Sequence, residues 1–232
     1  MAHLFFAGDG TPLSKPEDVI PFLGKREKHW KVERSAYQTA YSWFDAKGIP
    51  ATIRAILGTD SVLAEAQFEK AYFERQTNLD DTGRGPSQTD VLVFVKVGTG
   101  PAILGIEGKV DEPFGELVSD WNDYSPGKLR RLAGLIDKLN LKYSKSIGSL
   151  RYQLLHRTVA TLLEAKSAKA NEAAVIVQSF DVKGTAGFGD FQMFANALGT
   201  PVSETGKLSA PIELDGIRIR LGWTTNGLRV SS

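Results

Sequence analysis

Asp90 opens one short apolar run, VLVFVKV, and Glu107-Gly108-Lys109 closes the next, PAILGIEGKV. The turn-like Gly98-Thr99-Gly100-Pro101 joins them. Adjacent strands of a tight hairpin would bring Asp90 beside Glu107. Side chains two apart on a strand share a face, so Glu107 and Lys109 would point the same way. Two carboxylates and an ammonium on one sheet edge make a metal site with a charged helper. Such a site suits a hard divalent cation and phosphodiester hydrolysis. Such an ion lowers the pKa of a bound water and neutralises a scissile phosphate. Lys109 would orient that water or stabilise the transition state. The bland reading of Glu107 and Lys109 alone is a surface ion pair at a strand end, worth little.

Further charged residues surround this core. Residues 60–123 hold thirteen acids against five bases, whereas residues 128–157 hold eight bases against one acid. An acidic patch that needs cations, next to a basic patch that attracts phosphate, suits a nuclease. Two solvated faces that neutralise each other would look the same. Lys128, Arg130, Arg151 and Arg157 are the candidate substrate contacts in the basic stretch. Gln153 and Arg157 in RYQLLHRT are four apart and share a helix face, where Arg157 could clamp a phosphate. His156 beside them is a possible base, although a packed histidine is the commoner fate. Glu65 and Glu69 also lie four apart on an expected helix. Asp111 continues the alternation of Glu107 and Lys109 and could border the site. Among the tryptophans, Trp121 is the candidate for substrate contact, while His3 and His29 have no metal-ligand spacing. GTGP and GTAGFG open no strand-to-helix turn of the phosphate-binding kind.

The elements that must position these residues follow from periodicity and breakers. Residues 1–24 are loop-rich, interrupted by Pro12, Pro16 and Pro21. Apolar residues at helical spacing predict a helix over 25–47, stopped by Gly48-Ile49-Pro50, and a short helix ending near Gly58. Asp60 or Ser61 would cap a helix through about Gln76. A loop or frayed strand over 77–88 leads into the hairpin. Residues 113–127 read as irregular, Leu129–Leu141 and Ser149–Ala170 as helices, and 173–180 as a buried strand. A helix over Phe188–Leu198 and a strand over Gly216–Trp223 complete the chain. This order predicts an α/β protein, with a mixed sheet flanked by helices. It reads as one domain: a helical extension over 1–58, a core over 59–182, and a carboxyl-terminal helix and strand over 183–232.

Composition narrows the chemistry. The 232 residues suffice for one good core. Without cysteine there is no disulfide scaffold, zinc-thiolate site or cysteine nucleophile. No run approaches the roughly 20 apolar residues of a membrane span, and the start lacks a basic signal-peptide region. The expectation is a soluble, cytoplasmic protein. No Gly-x-Ser-x-Gly elbow supports a serine hydrolase.

The order of elements and the Asp90…Glu107-Gly108-Lys109 pattern, with sixteen residues between the acids, resemble the restriction-endonuclease-like PD-(D/E)XK nuclease superfamily. Its core runs helix, three strands, helix, strand. Thr89 stands where the motif's proline would precede the first acid. The resemblance implies Asp90 and Glu107 as ligands of Mg²⁺, with Mn²⁺ as substitute and the carbonyl of Gly108 or Val110 as a further oxygen, Lys109 as the catalytic lysine and a further carboxylate from the preceding helix, for which Glu69 is the candidate. Families like the RecB nuclease domain carry Gln-x-x-x-Tyr on the later helix, which implies a catalytic role for Gln153; Arg157 replaces the tyrosine. The blocks EGKVDEPFG and RYQLLHRT also resemble a bacterial domain family of unknown function. The implied activity is metal-dependent hydrolysis of nucleic acid, DNA rather than RNA by superfamily habit, with a homodimer if both strands are cut. The alternative is a non-catalytic binding module on the same scaffold.

Overall fold

A computed structural model describes residues 4–24, 28, 30–142, 145–181 and 186–230. The chain opens with β1 (Phe5–Ala7), β2 (Pro12–Leu13) and a 3-10 helix over Pro16–Phe22. Helices α1 (Ser35–Ala46) and α2 (Ala51–Leu57) follow. β3 (Gln67–Thr77), β4 (Ser87–Val97) and β5 (Gly100–Lys109) form an antiparallel meander. Gly98 takes the positive φ that the tight turn between β4 and β5 requires. The chain then crosses over through α3 (Val118–Trp121), α4 (Pro126–Lys138) and α5 (Tyr152–Ser167) to β6 (Glu172–Ser179), parallel to β5. Finally come α6 (Phe188–Ala197), β7 (Ile212–Leu214) and β8 (Ile217–Thr225), with β8 parallel to β6.

One eight-stranded mixed sheet results, in the order β2-β1-β3-β4-β5-β6-β8-β7. β5 and β6 are buried almost throughout, as expected of strands covered on both faces. Ile103, Val175 and Leu221 face a core built with Leu132, Leu155, Val159 and Phe191. Val91, Leu104 and Ile176 face the opposite core, with Trp43, Ile53 and Ile56. The mixed sheet between helical layers is therefore the architecture that the element order predicts. Among the described residues no helix is long and apolar enough to cross a membrane.

Two expected helices differ. Residues 61–76 hold a short 3-10 turn at Leu63–Glu65 and then the long strand β3, so the first meander strand lies at 67–77 rather than near 77–81. Phe68 and Tyr72 are four apart, but that spacing also fits a strand of period 2. A β-bulge hides the strand pattern: the β3–β4 register shifts by one between Phe68 and Lys70, leaving Glu69 as the extra residue. Asp60 does cap, but it caps the 3-10 turn, accepting from Val62 N (3.0 Å) and Leu63 N (2.9 Å). Within the helix expected over 25–47, residues 31–34 are turn and bend, and a continuous helix runs from Ser35; residues 25–27 and 29 of that span lie outside the described residues, as do His3 and Gly184-Thr185 of GTAGFG. The amino-terminal segment is not only helical, because β1 pairs in parallel with β3.

Helix α5 approaches β5 at Gly105, where a Cβ would lie 2.1 Å from Thr161 Oγ1. Gly105→Ala should therefore destabilise the fold by about 1–3 kcal/mol. In urea unfolding, Gly105→Ala/Thr161→Ala should recover part of the loss, because the second change removes the obstructing hydroxyl.

Candidate functional site

The β4–β5 register pairs Val91 with Ile106 and, extended by one, sets Asp90 opposite Glu107. Likewise Phe73–Val91 and Arg75–Thr89 pair on either side of Glu74 and Asp90. Glu74, Asp90 and Glu107 thus form one row across three strands. Alternation breaks at this row. Phe73 and Val91 belong to the α1–α2 core, yet Arg75 and Thr77 bond Glu164 on α5, and Ser87 bonds His156 on α5. Glu74, with φ of 57°, supplies the kink on its strand. The strands turn over where the carboxylates sit, at the end of the sheet where β5, β6 and β8 finish. Ligands of open α/β sheets gather at that edge.

A cleft of about 520 Å³ opens there. Glu74, Asp90, Glu107, Lys109, Gln153 and Arg157 line it. Glu107 and Lys109 form a buried pair, 3% and 6% exposed, so the surface ion-pair reading does not apply. Lys109 Nζ lies 2.9 Å from Glu107 Oε1 and 3.2 Å from Gln153 Oε1. Gln153 Nε2 donates to Glu107 Oε1 at 2.5 Å, and Arg157 Nε donates to Glu107 Oε2 at 2.7 Å. Gln153 and Arg157 reach the same carboxylate because they stand one helical turn apart on α5. Arg157 Nη2 is 3.8 Å from Asp90 Oδ1, and Arg157 Nη1 donates to Ser87 Oγ at 3.1 Å.

Gly108 explains the middle of Glu-Gly-Lys. A Cβ there would lie 2.2 Å from Thr39 Oγ1 on α1. Its N–H donates to Asp90 Oδ2 at 2.9 Å. On the opposite wall, Glu112 accepts from Val110 N (2.8 Å) and from Ser35 N and Oγ (both 3.3 Å) at the start of α1.

The carboxylates are electrostatically unequal. Burial would raise Glu107, but the charges of Arg157 and Lys109 outweigh it and hold the group at about 2. Asp90 is pushed up to about 7 by burial and by the Glu107 charge. Glu74 is pushed up to about 8 by burial and by the Asp90 charge. These are oxygen donors of the kind that Mg²⁺ takes. As placed, among the described residues, no three Asp, Glu or His side chains stand close enough together to hold an ion. Glu107 already receives three donors.

Other sequence candidates lie elsewhere. Glu69 is exposed on the bulge of β3 and Glu65 is exposed on the 3-10 turn, so neither lies on a helix beside the site; Glu74, from the same strand as Glu69, takes the place at the cleft. Asp111 is exposed beyond the end of β5, and Glu112 turns back instead. Arg151 pairs with Asp190 (2.8 Å) and donates to Gly115 O. Lys128 pairs with Asp123 at 3.0 Å, and Arg130 is exposed on α4; neither lines the cleft. Trp121 stacks on Tyr152 with ring centroids 3.8 Å apart. The periodicity of β3 could have revealed Glu74, had the bulge not hidden it. Arg34 and Lys28, which also line the cleft, carry no local sequence signal.

His156 faces Ser87 Oγ across 2.8 Å through Nδ1. Because Arg157 Nη1 donates to Ser87 Oγ, the serine hydroxyl is free to donate to a neutral imidazole. Burial and the Arg157 charge hold His156 well below its ordinary value. It is a packed histidine behind the cleft.

The chain belongs to the family described as Domain of unknown function (DUF6946), whose model matches residues 12–227. No curated protein and no solved structure matches it.

Glu107→Gln should cost about 3–5 kcal/mol in urea unfolding, because it leaves two buried cations without their carboxylate. His156 in the folded state refuses a proton that the unfolded chain accepts. Its contribution to stability is therefore fully present above about pH 6.5 and is lost progressively as pH falls from there toward the lower folded-state value. His156→Asn, which keeps an acceptor for Ser87, should reduce the loss of stability on mild acidification when both proteins are melted across that range.

Proposed function

We propose that this chain is a metal-dependent phosphodiesterase acting on nucleic acid, with DNA preferred to RNA on the habit of the PD-(D/E)XK superfamily that it resembles. The observation that carries the reading is the convergence of Asp90, Glu107, Lys109, Gln153 and Arg157 in one cleft at the start of β4 and the end of β5. Element order adds support: an antiparallel three-strand meander, a crossover helix and a parallel fourth strand follow the superfamily's core order. The preceding helix of that core corresponds to α1.

Asp90 and Glu107, with Glu74 beside them, would hold the ion. When bound, it would supply an acidified water and neutralise charge on the phosphate. The protein's own part is positioning and electrostatics. Glu107 stays ionised at neutral pH because Lys109 and Arg157 face it. Lys109 is fixed between Glu107 and Gln153, so its ammonium points at one place and loses little freedom on meeting a phosphate oxygen. Gln153 orients Lys109 and Glu107 together. Arg157 donates to Glu107 Oε2 and would offer its remaining N–H groups to a substrate phosphate.

One observation favours the second reading, a non-catalytic binding module. Glu107 is held by three protein donors, as a structural buried carboxylate would be. Cleavage of labelled single-stranded and duplex oligonucleotides with Mg²⁺ or Mn²⁺ separates the two. Asp90→Asn and Lys109→Met should each lower the rate at least ~100-fold. Asp90→Asn is the cleaner probe, because Asp90 is partly exposed and its loss orphans no buried cation. Full activity in both variants would sink the mechanism; no cleavage of DNA or RNA by wild type would favour the binding module.

A further inference from the structure

The cleft carries two cations that the proposed chemistry leaves unused. Arg34 and Lys28 both line it, and both are exposed. Among the described residues neither has an ion-pair partner, whereas the deeper cations, Lys109 and Arg157, are matched to Glu107. Arg34 is held in place by its backbone. Its N–H donates to Lys31 O at 2.9 Å, and its carbonyl accepts from Gln38 N at 3.2 Å. The next residue, Ser35, is tied to Glu112. The first turn of α1 thus sets a positive charge on the rim, facing the acidic floor.

The shape of the cleft limits what reaches that floor. Its volume of about 520 Å³ is that of a small-molecule site. Glu107, on the floor, is only 3% exposed. A phosphate can travel that far on an unpaired strand. A duplex, whose major groove alone is about 12 Å wide, would have to be opened first.

We propose that Arg34 and Lys28 bind the phosphates of a single-stranded nucleic acid as it enters the cleft, which makes unpaired strands or strand ends the substrate class. The inference rests on the phosphodiesterase reading of the cleft. It also moves substrate contact away from Lys128, Arg130 and Arg151, none of which lines the cleft.

Fluorescence anisotropy tests it. The probes are a fluorescein-labelled deoxyoligonucleotide as a single strand and the same sequence as a blunt duplex, titrated across a KCl series in EDTA and again in Ca²⁺. The single strand should bind at least ~10-fold more tightly than the duplex. Lys28→Ala/Arg34→Ala should weaken single-strand binding about tenfold and lower the slope of log K against log salt by about 1.4, two phosphate contacts for a single strand. Lys128→Ala/Arg130→Ala should change neither. Because Lys28 and Arg34 are exposed, unchanged melting of their double variant separates lost binding from lost fold. Wild-type affinity in that variant, or equal binding of duplex, overturns the inference while the catalytic reading stands on its own cleavage assay. A wild type that binds neither probe in either buffer overturns both.

Discussion

A carboxylate stripped of water must be met by opposite charge and hydrogen bonds, or it protonates. Glu107 is met three times, by Lys109 from its own strand and by Gln153 and Arg157 from α5. The three donors approach from two elements, so they set the rotation of α5 against the sheet as well as the ionisation of the acid. Thr161 on Gly105, one turn further along the helix, permits the close approach that this rotation needs. The order extends behind the cleft. Arg157 holds Ser87, Ser87 meets His156, and His156 packs on Tyr152, which stacks on Trp121. An aromatic that looks available in the sequence is thereby used for packing.

The row of carboxylates beside Glu107 follows from the same constraint. Once Arg157 and Lys109 neutralise Glu107, little positive charge is left for Asp90 and Glu74, and burial drives both toward their neutral forms. Titratable neighbours whose environments push them apart are a mark of functional sites, although structural ion pairs produce the same effect. The kink at Glu74 belongs to this account: a non-glycine residue in the left-handed region costs energy, and here it turns Glu74 out of the regular alternation and into the cleft.

The hairpin was legible because both of its strands carry short-range signals. These are the apolar runs from Val91 to Val97 and Ala102 to Ile106, the Gly98 turn, and acids at matching ends. Gln153 and Arg157 were legible for the same reason, since four residues on a helix is a fixed geometry. The segment 61–76 was not. A single extra residue, Glu69, breaks the period of 2, and the surviving spacing of Phe68 and Tyr72 imitates a helix. The basic stretch from Lys128 to Arg157 misled in a different way. Nearness in sequence does not make a patch when the residues sit on α4, on the turn before α5 and on α5 itself, where Arg131 is buried against Asp80 and Arg151 is paired with Asp190.

The sequence alone therefore determined the mixed α/β class, the Asp90–Glu107 hairpin and the shared face of Gln153 and Arg157. Each of these depends on interactions within a few residues or on the periodicity of one element. Tertiary structure decided that Glu107 is buried and held by three donors, that Glu74 rather than Glu69 stands beside Asp90, and that Arg34 and Lys28 rather than Lys128 and Arg130 line the cleft. Those outcomes depend on strand register, on one bulge and on which elements meet at the sheet edge, and contacts between residues far apart in the chain leave no local pattern to read.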